Sequence, residues 1–320
     1  MQRSMERTRA RHEFWIDRGG TFTDCIHRDR VTGELRVTKV LSSDEAPLEG
    51  IRALLELSEG DPLPPTEVRM GTTLATNALL ERSGIPTALV ANAGLSDLVR
   101  IGDQTRPDLF ALSIDRPAPL ASRTIETKAR HAADGTTLEA LDAEPIRVAL
   151  GAAAAAGVRS VAVSLIHAYR DGSLETEIAR IAEELEFQHV SLSHEVSNEL
   201  GLLGRTDTTL ANAYLTPLLT DYVERLEEVL GEDRLRMMQS NGGLVDANAF
   251  IGRNAVLSGP AAGVVATSAL AEELELEEVI GFDMGGTSTD VCRYAGEVAR
   301  TFETEIAGIR IRAPMIELHT

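Results

Sequence analysis

Lysine is almost missing from this chain. Lys39 and Lys128 are the only two, the other basic residues are arginine, and acidic side chains leave a formal net charge of −19. That balance argues against a general nucleic-acid role, because phosphate backbones are bound by positive patches. It does not exclude a nucleotide held by backbone amides. An acid-rich, lysine-poor surface suits high salt, and a GC-rich genome produces the same composition; loss of the fold in low-salt buffer would favour the first. Cysteine is equally sparse. Cys25 and Cys292 make neither a disulfide framework nor a zinc cluster, so a reducing cytoplasm is the expected compartment, with both thiols filling the core. Long apolar runs are absent too. The longest uncharged stretch, Asn254 to Ala271, carries Ser258, Gly259, Pro260, Gly263, Thr267 and Ser268, a poor match to the roughly 20 apolar residues of a membrane span. The N-terminal MQRSMERTRARHE is charged and shows no secretory signal, and residues 1–12 are expected to be a disordered tail. His131, His167, His189 and His194 lack metal spacing and read as packing or surface residues.

What the chain does have is repetition. DRGGTFTD, residues 17–24, returns as DMGGTSTD, residues 283–290. Around the first copy the pattern predicts strands at Glu13–Asp17, Thr23–Arg28 and, after a turn at Thr32-Gly33, Glu34–Val40. Around the second it predicts Val279–Asp283, Thr289–Tyr294 and, after Ala295-Gly296, Glu297–Phe302. Apolar content of 43% over 320 residues is enough for two globular domains, and a repeat spaced by a domain length implies two related ones. Between the copies, helix and strand alternate. Helices are expected at Leu141–Ala156, from Ser173 (with Ser173 as cap), and as two helices over Asp207–Leu230 meeting near Pro217; strands are expected at Val158–Ile166 and His189–Ser193. The long helical stretch reads as the crossover into the second domain. Such alternation argues for an α/β fold around a mixed sheet.

The repeated motif has a chemistry. Gly19-Gly20 and Gly285-Gly286 allow close backbone approach and present consecutive N–H groups as an anion nest. Thr21, Thr23, Thr287 and Thr289 add hydroxyls suited to phosphate oxygens. Asp17 and Asp283, at strand ends, are candidate Mg²⁺ ligands, directly or through water. Asp24 and Asp290 are placed to orient water or to pin the turn. A plain hairpin explains one copy equally well, but it needs no second copy with the same acids and hydroxyls, whereas a phosphate clamp between two domains does.

These motifs resemble the phosphate-1 and phosphate-2 loops of the actin, heat-shock chaperone and sugar-kinase ATPase superfamily. More narrowly, the chain resembles the N-terminal part of the hydantoinase A / 5-oxoprolinase family. The resemblance is carried by FWIDRGGTFTDCI, GTTLATNALLERSG, RPDLFALSI, TDTTLANAYLTPLL, MQSNGGL, LSGPAAGVVA and GFDMGGTSTDV. It implies a ribonuclease H-like (actin-like ATPase) α/β domain with a mixed sheet over residues 13–205, followed over 206–320 by an incomplete second domain of the same type. It implies ATP and Mg²⁺, and phosphorylation of a cyclic amide (hydantoin or 5-oxoproline type) before its hydrolysis, with a hydantoinase B-type subunit or domain as partner. It adds Thr72, Thr73, Ser258 and Gly259 to the nucleotide site and Asn77, Arg205 and Asn241 to the substrate side. Read from the residues alone, Thr72 or Thr73 caps a helix, Asn241-Gly242-Gly243 is a tight turn, and Thr206 or Asp207 caps the helix after Arg205.

The sequence departs from the family pattern at NAGLSD (92–97), at Leu174-Glu175 where a His-Glu pair is usual, and at IELHT, where relatives continue. The ATP-dependent amidohydrolase reading therefore stands beside three others: a non-catalytic fragment that at most binds nucleotide, the ATP-using subunit of a ketone carboxylase, and a sugar or acetate kinase.

Overall fold

The computed structural model of the protein describes residues 10–103, 110–113, 116–286 and 288–318. Of the expected tail, residues 1–9 lie outside the described residues; Ala10 is already buried and a strand begins at His12. The first copy of the motif joins His12–Arg18 to Phe22–Asp29 in an antiparallel ribbon, and Leu35–Leu41 pairs on its outer side. On the other side, His12–Arg18 runs parallel to Thr66–Thr72, which is followed by Leu235–Met238 and the antiparallel edge Leu244–Asp246. The result is a mixed six-stranded sheet. Alternation explains its faces: Phe14, Ile16 and Cys25 point into the core.

A second sheet of four parallel strands has the order His189–Leu192, Ser160–Ser164, Thr87–Asn92, Ala121–Thr127. The two central strands, Ser160–Ser164 and Thr87–Asn92, are covered on both faces and buried throughout, whereas the edge strand Ala121–Thr127 is largely exposed. Val161 and Val163 pack with Ile146, Leu150, Ile178 and Ile181 from helices Ala143–Ala155 and Ser173–Glu184. Ala162, from the opposite face, joins the main core with Leu210, Ala211 and Leu215 of the long helix Leu202–Leu230. No helix among the described residues is long and apolar enough to cross a membrane.

Three expectations are corrected. Asp207–Leu230 is one helix with Pro217 inside it, not two, and it starts at Leu202, so Thr206 and Asp207 lie within it and cap nothing. Proline removes the N–H that would meet the carbonyl four residues back. Here that Ala213 carbonyl accepts the Ser160 hydroxyl at 2.7 Å, and the next one, Tyr214, accepts the Ile85 N–H at 3.0 Å. Ser173 is the first helical residue and not the cap; its own N–H donates to Asp171 Oδ1 at 2.9 Å. The repeat also ends after two strands. Its third strand is Arg300–Ile306, and this pairs with Ile309–Ile316 instead of returning to the ribbon. Ala307 and Gly308, at φ 52 and 76, supply the two positive φ values of a tight hairpin turn.

The second ribbon, Val279–Met284 with Thr289–Tyr294, consequently stays two-stranded and rests on helix Ser258–Glu273. Phe14 and Ile16 of the first ribbon are 0% and 4% exposed, whereas Ile280 and Phe282, at the corresponding places, are 72% and 68% exposed.

Candidate functional site

The two turns are built alike. Asp17 faces Asp24 across its ribbon as Asp283 faces Asp290. In each, the first glycine donates its N–H to the carbonyl three residues on, Gly19 to Phe22 and Gly285 to Ser288, both at 3.0 Å. They also meet: a Cβ added at Gly286 would lie 2.5 Å from Thr21 Oγ1. Thr287 lies outside the described residues.

Asp17 is the centre of the site. Its Oδ1 is shut off from solvent with no hydrogen-bond partner among the described residues. Two bare glycine backbones explain how it fits: a Cβ at Gly71 or Gly259 would sit 3.4 or 3.2 Å from that oxygen. Burial, followed by the charges of Asp283, Asp24 and Asp290, pushes the Asp17 carboxyl up to about 6. A carboxylate held out of water beside three others is a poor anion by itself and a good partner for a cation.

Much of the surrounding polar chemistry fixes this geometry. Thr23 is fully buried, and its hydroxyl meets Ser42 Oγ at 3.0 Å, which in turn donates to Gly19 O at 2.7 Å. Ser42 carries no local signal in the sequence; sheet register brings it to the turn. Asp24 accepts Lys39 Nζ at 2.7 Å from the adjacent strand. Thr73 donates both its N–H and its hydroxyl to Arg18 O, at 3.0 and 3.3 Å. Thr72 Oγ1 accepts the Leu74 N–H, and the Thr72 N–H donates to Ser258 Oγ, each at 3.1 Å. Ser258 itself donates to Met238 O at 2.6 Å. Thr72, Thr73, Ser258 and Gly259 therefore come together beside Asp17, with the hydroxyls committed to binding the strand ends to one another.

The expected substrate residues separate. Asn77 shares a recess with Arg18, Gly19, Gly20, Ser42 and Glu81, next to the first turn. Arg18, whose guanidinium sits 5.0 Å over the Tyr222 ring, was not singled out by sequence. Asn241 closes its own turn: its Oδ1 accepts the Gly243 N–H at 2.8 Å. Arg205 is 1% exposed and donates to Ser193 Oγ, Glu199 O and Leu165 O at 3.0, 2.8 and 2.7 Å. Fully buried Glu175 accepts from Leu165 N, Ser193 Oγ and His194 Nδ1 in the same network. These bonds hold together the segment that enters the long helix.

The donor set bears on the expected metal. Among the described residues no three His, Cys, Asp or Glu side chains gather as a ready-made metal cage. Mg²⁺ bound with a nucleotide needs only one or two carboxylates, the rest of its shell being water and phosphate. The orphaned Asp17 oxygen, on a carboxyl that feels the charges of Asp283 and Asp290, fits that pattern.

Comparison with known proteins places this geometry. The model of the hydantoinase/oxoprolinase N-terminal region matches residues 13–186, and that of hydantoinase/oxoprolinase matches residues 205–320. The chain belongs to the hydantoinase/oxoprolinase family. It is 39% identical to the 5-oxoprolinase of Saccharomyces cerevisiae, with 95% of this chain and 27% of that protein aligned. It is 30% identical to caprolactamase subunit alpha of Pseudomonas jessenii, over 98% of this chain and 48% of that one. The crystal structure of the ATP-dependent caprolactamase from the same organism superposes with a TM-score of 0.80 at 29% identity, covering 96% of this chain and 47% of that one. A nucleotide-free acetone carboxylase superposes at 0.81 with 23% identity over 97% of this chain and 48% of that one, which speaks to the fold. The actin-like α/β fold with a mixed sheet is shared with these family structures. The chain spans about a quarter to a half of the length of these relatives.

Proposed function

We propose that the two glycine turns are the halves of one phosphate clamp, and that this chain supplies the ATP-using part of an enzyme that opens a cyclic amide. In this reading residues 13–205 and 206–320 are two related domains, each contributing one turn. The observation that carries it is Asp17, whose oxygen is buried against Gly71 and Gly259 without a hydrogen-bond partner among the described residues and feels the charges of Asp283 and Asp290, while Gly286 packs on Thr21. Asp17 and Asp283 hold Mg²⁺, and the amides and hydroxyls of Gly19, Gly20, Thr21, Gly285, Gly286, Thr287 and Thr289 receive phosphate oxygens. Asp24 and Asp290 orient water, and Asn77 faces the recess beside the first turn. ATP supplies a phosphoryl group that converts an unreactive amide oxygen into a leaving group, after which water opens the ring. The amide-opening activity of relatives such as 5-oxoprolinase and caprolactamase supports this chemistry over a sugar kinase. A hydantoinase B-type subunit or domain completes the enzyme, in the cytoplasm.

The test is phosphate release from ATP by the purified protein with its natural partner subunit, against hydantoins and 5-oxoproline. Substrate-dependent release is expected, and Asp17→Ala or Asp283→Ala abolishes it while the fold persists. Release that is indifferent to every cyclic amide would remove the amidohydrolase reading.

A further inference from the structure

Within D-x-G-G the two turns differ at one position, which is Arg18 in the first copy and Met284 in the second. Met284 is 74% exposed, whereas the Arg18 side chain is 11% exposed and lines the recess beside Gly19 and Gly20. Its guanidinium is fixed from three sides. Nε donates to Ser43 O at 3.1 Å, Nη2 donates to Asp44 Oδ1 at 2.9 Å, and the guanidinium carbon lies 5.0 Å from the centre of the Tyr222 ring. Nη1 makes no hydrogen bond among the described residues. Nor is the charge cancelled. Asp44 is shared: its Oδ1 takes Arg18 and its Oδ2 takes Arg225 at 3.0 Å, one carboxylate for two guanidinium groups. Glu81 also lines the recess, but it is exposed, so water screens it more than it screens Arg18. Asn77 adds an amide with both donor and acceptor, and Leu74, Ala78 and Leu218 supply the apolar part. At about 220 Å³ the space is smaller than the roughly 300–1,000 Å³ of drug-sized sites and suits one small ring.

We propose that Arg18 is the specificity-determining residue of this recess: it pairs with a carboxylate on the ring, so that the phosphoryl acceptor is an acidic cyclic amide and not a neutral lactam. Family membership leaves the charge of the ring open, because 5-oxoproline carries a carboxylate and caprolactam has none. A guanidinium already held rigid loses little freedom on meeting a carboxylate. A neutral ring would instead cover its free N–H edge without an acceptor, which is costly. That the ligand is a cyclic amide rests on the function proposed above; its negative charge rests on Arg18.

Two probes that differ only in charge test it, 5-oxoproline and 5-oxoprolinamide. Each is titrated against the full chain with its natural partner subunit, binding being followed by ligand-observed magnetic resonance and turnover by phosphate release. Wild type prefers the acid by about tenfold or more, the scale of hydrogen bonds to a charged group. Arg18→Met brings the acid-to-amide ratio close to one, and Arg18→Lys, which keeps the charge, retains a preference for the acid. An arginine needed only to hold Tyr222 and Ser43 in place would weaken both probes together and leave the ratio unchanged in Arg18→Met; that result overturns the proposal. Equal wild-type affinity for the two probes, or no binding of either, overturns it as well. Phosphate release stimulated equally by both rings would remove the role of Arg18 and leave the clamp. Arg18-dependent preference for the acid without any phosphate release would do the reverse.

Discussion

Gly286 lies directly against Thr21, so that a side chain on the first would collide with the Cβ and hydroxyl of the second, at 2.7 and 2.5 Å. The two turns of the repeat are thus in contact, and the absence of a Cβ at Gly286 is what lets them meet. Gly286→Ala is expected to push the turns apart and lower ATP turnover by about tenfold, or roughly 1.4 kcal/mol of transition-state stabilisation. Thr21→Gly lowers turnover by itself, since it removes a phosphate-binding hydroxyl, but should cost less in the Gly286→Ala background, where it also removes the colliding atoms. Additive losses in steady-state assays would mean that the contact is incidental.

Asp17→Asn separates binding from folding. The amide keeps the shape and removes a charge crowded by Asp283, Asp24 and Asp290. The ligand-free protein should melt about 1–2 °C higher, the shift that roughly 1 kcal/mol gives in a chain of 320 residues. The rise in melting temperature produced by Mg-ATP should vanish. A variant that still gains stability from Mg-ATP would show that Asp17 is not part of the clamp.

Ser160 and Pro217 form a compensating pair around the Ala213 carbonyl. Ser160→Ala leaves that buried acceptor empty and is expected to cost about 1–3 kcal/mol in urea unfolding. Pro217→Ala restores an N–H four residues on, so Ser160→Ala should cost less in that background. An equal cost in both would show that the serine acts through packing alone.

His12 and His27 contact each other through ring nitrogens at 3.0 Å, and His27 stacks on Phe14. Burial lowers both, with Arg11 adding to the effect at His12 and His12 adding to it at His27. A histidine lowered in the folded state stabilises fully above its ordinary value of about 6.5 and loses that contribution as pH falls below it. Stability should therefore drop between pH 7 and pH 5, and the slope should be shallower in His27→Gln. Identical slopes by chemical denaturation would assign the acid sensitivity elsewhere.

The repeat, the positions of its first two strands and the mixed α/β plan were legible because they rest on local pattern: alternating side chains, Gly-Gly turns and helical spacing. The fate of the third strand in the second copy was not, since Ala307-Gly308 is a weak turn signal and its positive φ values are decided by pairing. Pro217 reads as a break in sequence, and only Ser160 and Ile85, distant along the chain, reveal why the helix continues. Arg205 looks like a substrate ligand until its three acceptors are seen to be backbone and core groups. Ser42 gave no signal, because sheet register and not spacing brings it to the first turn, and Arg18 falls on the one position of the D-x-G-G motif that the two copies do not share. Asp207 read as a capping residue, whereas it lies inside the long helix and lines a recess with Arg116 and Arg310, which come from segments far away in sequence.

The unequal surroundings of the two ribbons set how each turn moves. The first is hydrogen-bonded on both flanks, by Leu35–Leu41 and Thr66–Thr72, while the second, among the described residues, has only a single bridge from Tyr294 to Val298 beyond its own two strands and packs mainly on helix Ser258–Glu273. Local opening is easiest where few apolar contacts oppose it. Amide hydrogens of Val279–Met284 should therefore exchange by sub-global opening well before those of His12–Arg18. The two turns share a motif but not a setting: the first is expected to serve as an anvil, and the second to travel.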